Sequence, residues 1–82
     1  MKAVITKANN ETKTVDLSHV DKRCFDGRNA YTTAESLYLE VYPNADGCRT
    51  ATKQANGSFI VRDHYETETN TGGIVVRFED AD

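Results

Sequence analysis

The chain has 82 residues and a mass of 9.1 kDa, which suffices for one small domain, residues 1–82, and is too short for two packed cores. Ten Lys and Arg against 13 Asp and Glu leave a net charge of −3, which excludes nucleic-acid binding through bulk charge and is too mild for a polyanion mimic. The longest apolar runs are three residues, as in Ile74-Val75-Val76, so no membrane span is expected. Residues 1–7 carry charge but no apolar stretch of signal-peptide length, and a cytoplasmic location follows as the expectation.

Residues 2–8 and 12–17 are Thr- and Val-bearing runs on either side of Asn9-Asn10-Glu11. Asn tolerates the positive φ of a tight turn, so these runs predict a first hairpin. A three-residue connection would set Ala3 against Leu17 and Ile5 against Val15, collecting the apolar side chains on one face; a two-residue loop would set Ile5 against Thr14 and is less favourable. Residues 18–31 contain a weak cap signal, Ser18-His19-Val20-Asp21, and the turn pair Asp26-Gly27, with room for one helical turn at most. Asp16, Asp21 and Asp26 recur at a spacing that fits no EF-hand loop and reads as solvated edge and turn positions. Thr32-Thr33-Ala34-Glu35 matches the capping box. Ala34, Leu37, Tyr38, Val41 and Tyr42 follow at helical spacing, predicting one helix over 33–42 that Pro43 ends.

Further on, 48–55 and 58–65 flank Asn56-Gly57, a strong hairpin signal. A two-residue type I′ turn there sets Thr52 against Val61, Cys48 against Tyr65, Lys53 against Ile60 and Arg49 against His64. Residues 66–73 form a polar loop that Gly72-Gly73 turns into a last strand, 74–79. The fold class is α+β, two-layered, with one helix on an antiparallel sheet of about five strands in the order β-β-α-β-β-β.

In this register Phe59, Val61, Tyr65, Cys48, Ile74, Val76 and Phe78 face the helix. The opposite face collects Arg49, Lys53, Arg62, His64 and Arg77 around Ala51, Ile60 and Val75, a locally positive surface on an acidic chain. The simplest interpretation is the solvated side of a half-covered sheet. The functional one makes Arg49, Lys53, Arg62, His64, Arg77 and Ile60 a docking surface for a protein with an acidic face. A nucleic-acid backbone is the alternative partner, weakened because no aromatic residue is there to stack on bases.

Catalytic and metal signatures are sparse. His19, Cys24, Cys48 and His64 form a Cys2His2 set by count, but their spacing does not let one turn chelate a metal, and no cofactor or metal is expected. A cysteine nucleophile needs an adjacent base. Cys24 with His19 is the one pairing the register leaves open, making a small Cys-dependent enzyme the third-ranked function. Both cysteines are expected to be reduced. The chain is read as a non-enzymatic protein-binding module. With ten threonines it resembles, in size and texture, small accessory and inhibitor proteins of bacteriophages and mobile elements, anti-CRISPR proteins among them. That resemblance implies inhibition of a host defence complex by protein contact; it carries no motif and transfers no residues.

Overall fold

The computed structural model describes residues 1–45, 47–67 and 72–80. Strands β1 (Lys2–Lys7), β2 (Thr12–Asp16), β3 (Arg49–Lys53), β4 (Phe59–Asp63) and β5 (Ile74–Glu79) form one antiparallel sheet in the order β2-β1-β5-β4-β3. Among the described residues the single α-helix, α1 (Gly27–Val41), lies between β2 and β3 in the chain. Class, helix count and element order are those the sequence predicts. β5 pairs with β1 on one side and β4 on the other, joining the two hairpins and leaving β2 and β3 as the edges.

Alternation along the strands places Ala3, Ile5, Phe59, Val61, Ile74 and Val76 against the helical stripe Ala30, Ala34, Leu37 and Tyr38, all of them buried. A chain of edge-to-face rings crosses this core. Phe25 meets Phe78 at 5.1 Å, Phe78 meets Phe59 at 5.9 Å and Phe59 meets Tyr31 at 5.0 Å. The contacts tie the 3-10 turn Lys22–Phe25 and α1 to the centre of the sheet.

The helix begins at Gly27 rather than Thr33, so the capping-box reading is overturned. Thr32 and Thr33 lie inside the helix. Thr33 Oγ1 donates to the Cys24 carbonyl at 2.6 Å, with the Asn29 carbonyl one turn back at 2.9 Å. The first turn is held instead by the Asn29 amide, which donates to the Asp26 carbonyl at 3.0 Å, and by Asn29 Nδ2, which donates to the Arg23 carbonyl at 3.0 Å. At the other end Lys13 reaches from β2 to donate to the Glu40 carbonyl at 2.9 Å, satisfying an orphan acceptor of the last turn.

Both hairpins close the same way, and neither has the predicted register. Their loops are Ala8-Asn9-Asn10 and Ala55-Asn56-Gly57. In the first, Lys7 N–H donates to the Glu11 carbonyl (2.8 Å) and Asn10 N–H to the Lys7 carbonyl (2.9 Å); in the second, Gln54 N–H donates to the Ser58 carbonyl (2.8 Å) and Gly57 N–H to the Gln54 carbonyl (3.0 Å). Only the third loop residue has positive φ, 70° at Asn10 and 89° at Gly57. Oδ1 of the middle Asn accepts the amide two residues on, Glu11 or Ser58, at 3.0 Å in each case. This is a type I turn with a bulge, not the type I′ turn predicted at Asn56-Gly57.

The registers follow from the turns. Ala3 pairs with Val15 and Ile5 with Lys13, which slides the first hairpin by two residues and keeps its faces. Ala51 pairs with Val61, Thr52 with Ile60 and Arg49 with Asp63, one residue from expectation. An odd shift exchanges the two faces of β3. Tyr65 and Cys48, expected in the core, are exposed, Tyr65 by 74%.

Candidate protein-binding face

The helix covers one face of the sheet, and no element among the described residues covers the other. On that bare face Thr12, Thr6, Val75, Ile60 and Thr52 are paired in sequence across β2, β1, β5, β4 and β3, one residue per strand. Every residue of this row is β-branched and therefore stiff at χ1. Val75 and Ile60 are its half-buried centre, with Val4 on β1 one step away. Arg62 follows Ile60 on β4 and Arg77 follows Val75 on β5. Because the strands are antiparallel, the two guanidinium groups stand on opposite sides of the apolar centre.

Each guanidinium is held by a carboxylate. Arg62 makes a two-pronged contact with Glu66, Nε to Oε1 at 2.7 Å and Nη2 to Oε2 at 2.8 Å, and Arg77 Nε donates to Glu79 Oε2. Lys2 stands opposite Asp16 on the same face. Among the described residues three cations, Lys2, Arg62 and Arg77, thus share the face with three carboxylates, Asp16, Glu66 and Glu79. The face is balanced in charge, not positive as predicted.

Four of the six predicted site residues are on this face: Ile60, Arg62, Arg77 and His64, whose Nε2 lies 3.1 Å from Thr50 Oγ1. Arg49 and Lys53 are not, because the exchanged faces of β3 carry them to the helix side. Lys53 Nζ lies 6.0 Å from the centre of the Phe59 ring, and Arg49 Nη1 donates to the Gly47 carbonyl at 3.2 Å. The threonines that take their place, Thr50 and Thr52, were hidden by the turn assignment, since a one-residue change decides which set faces out. Glu68 and Asp82 lie outside the described residues.

The same shift revises the cysteine geometry. His64 N–H donates to the Cys48 carbonyl at 2.9 Å, so these residues are cross-strand neighbours and do not face opposite ways as predicted. Among the described residues no hydrogen bond joins the Cys48 thiol to His64, or Cys24 to His19, and both cysteines are free. No group of three His, Cys, Asp or Glu side chains among the described residues could hold a metal ion. Within the same residues no helix is long and apolar enough to cross a membrane. On the helix side Arg28 and Tyr31, which the sequence reading did not pair, line a shallow recess of about 330 Å³. No protein-family model, no curated protein and no solved structure matches the chain.

Proposed function

We propose that the chain is a non-enzymatic protein-binding module that docks its partner on the bare sheet face. The observation that carries this reading is the β-branched row with Val75 and Ile60 at its centre and Arg62 and Arg77 on opposite sides. Side chains stiff at χ1 lose little freedom on docking. Arginines beside an apolar centre are typical of protein interfaces. A phosphate-backbone reader calls for uncompensated cations and, on single strands, rings to stack on. Here both arginines are engaged by carboxylates, and the row has no aromatic residue. With Arg49 and Lys53 on the other side, the partner that fits has a small apolar patch ringed by charges of both signs, in place of an acidic surface. Inhibition of a host defence complex is the narrower form of this proposal; it is supported by the size and texture of the chain.

The test is a pull-down from the native host with the wild-type chain, followed by affinity measurements on the captured protein. Arg62→Glu with Arg77→Glu should weaken binding by about tenfold or more. The melting temperature should stay near wild type, since both side chains are largely exposed. Lys53→Glu, on the opposite face, should bind as wild type. Equal losses for the two variants, or no loss for the first, would remove the bare face from the site.

A further inference from the structure

The two edges of the sheet are finished differently. On β3 the His64-to-Cys48 and Gln54-to-Ser58 hydrogen bonds direct the amides of Cys48, Thr50 and Thr52 toward β4 and those of Arg49, Ala51 and Lys53 outward. The middle outward amide, Ala51, is taken up by Glu35 Oε2 at 3.0 Å. An edge capped in this way is a poor template for another strand. On β2 the bonds Lys7 to Glu11 and Leu17 to Met1 fix the same alternation, so Thr12, Thr14 and Asp16 turn both amide and carbonyl outward. Among the described residues no side chain or loop takes up these groups. The strand has no proline, and its two charged side chains are already engaged within the chain: the half-exposed Lys13 donates to the Glu40 carbonyl, and the Asp16 carboxylate accepts the Ser18 amide at 2.9 Å.

We propose that β2 is a self-association edge, and that its occupant is β2 of a second copy of this chain, paired antiparallel about a two-fold axis at Thr14. The choice of occupant rests on self-complementarity. Centring on Thr14 sets Thr14 against Thr14 of the second copy, Thr12 against Asp16 and Lys13 against Val15, so all three outward residues pair and no like charges meet. Sliding toward the turn opposes Lys13 to Lys13, and sliding the other way strands Thr12. The contact is isologous, as a two-fold pairing requires, and continues the five-stranded sheet into the second copy. It leaves the bare face open and does not depend on the function proposed for that face.

Sedimentation equilibrium on the full chain tests the assignment. Its weight-average mass should rise with concentration from the 9.1 kDa of one chain toward twice that value. Thr14 is exposed and its amide points outward, so Thr14→Glu, Thr14→Lys and Thr14→Pro should keep the wild-type fold, proline being tolerated at such an edge position. Each variant alone should weaken self-association by about tenfold or more. An equimolar mixture of Thr14→Glu and Thr14→Lys should dimerise, because the two-fold brings position 14 against itself and opposite charges then meet. A wild-type chain that stays monomeric up to about 1 mM overturns the proposal. So does a dimer indifferent to all three substitutions, or a mixture no more associated than its components.

Discussion

Glu35 and Ala51 are joined across the two layers of the fold: the helical carboxylate accepts the outward backbone amide of the edge strand at 3.0 Å. This bond fixes where α1 sits over β3 and occupies the one outward amide in the middle of that strand. It is also the actual role of the glutamate that reads, in sequence, as the second half of a capping box.

Removing the carboxylate should therefore cost more than a surface substitution. Glu35→Ala leaves a half-buried amide without its charged acceptor, a loss of about 1 to 3 kcal/mol. In a domain of this length each kcal/mol corresponds to about 4 to 8 °C of melting temperature. Thermal melts of Glu35→Ala and Glu35→Gln check this, with the glutamine variant falling between the alanine variant and wild type because its amide oxygen still accepts. A melting temperature for Glu35→Ala within a degree of wild type would show that the bond does not hold the layers together.

The paired turns make a second prediction, of opposite sign at the two sites. Asn10 and Gly57 occupy the same left-handed bulge position, φ 70° and 89°. Asn10→Gly relieves a backbone that asparagine only tolerates and should raise the melting temperature slightly, while Gly57→Asn should lower it slightly. Gly57→Val places a β-branched residue at positive φ and should cost about 1 to 2 kcal/mol or more. Differential scanning calorimetry of the three variants measures the ranking; stabilisation by Gly57→Asn would contradict the turn geometry.

The ring of side chains under the helix was legible in the sequence because the two-residue period of a strand sorts the apolar runs of β1, β4 and β5 into faces: Ala3 and Ile5, Phe59 and Val61, Ile74 and Val76 all fall where periodicity places them. The face of β3 was not legible. Asn56-Gly57 fits a two-residue turn as well as a bulged three-residue turn with Ala55 in the loop, and Arg-Thr-Ala-Thr-Lys has no apolar alternation to choose between them. The choice comes from packing, which buries Ala51 beneath the helix and lays Lys53 over Phe59. The helix start is hidden for a related reason. Gly27, with φ 53°, looks like a turn residue but opens the helix, and the threonines after it are accommodated because Thr33 has carbonyl partners inside the fold.

Among the described residues two exposed aspartates contribute to the pH dependence. The side chain and backbone of Arg23 hold Asp21 below its ordinary value of 3.8, and the Ser18 amide, then its hydroxyl, hold Asp16 below the same value. A carboxylate depressed on folding stabilises the native state above its unfolded pKa, and that contribution fades as the pH falls through the folded one. Melting temperature should thus decline below about pH 4. In a carbon-detected NMR titration Arg23→Ala should return Asp21 toward 3.8 and leave Asp16 where it was. An Asp21 midpoint unmoved by Arg23→Ala would dismiss the pairing.

The membership of the bare face rests on the register of β3 against β4, and interproton contacts read that register directly. Arg49 with Asp63, Ala51 with Val61 and Lys53 with Phe59 are the pairs whose α-carbons approach most closely, since the hydrogen-bonded pairs alternate with them. A two-dimensional NOE spectrum in D2O should show strong Hα–Hα cross-peaks for Ala51 with Val61 and for Arg49 with Asp63, which places Thr50 and Thr52 outward beside Arg62 and Ile60. Strong Hα–Hα cross-peaks for Thr52 with Val61 and Thr50 with Asp63 instead would mark a two-residue turn, return Arg49 and Lys53 to the outer face, and contradict the site described here.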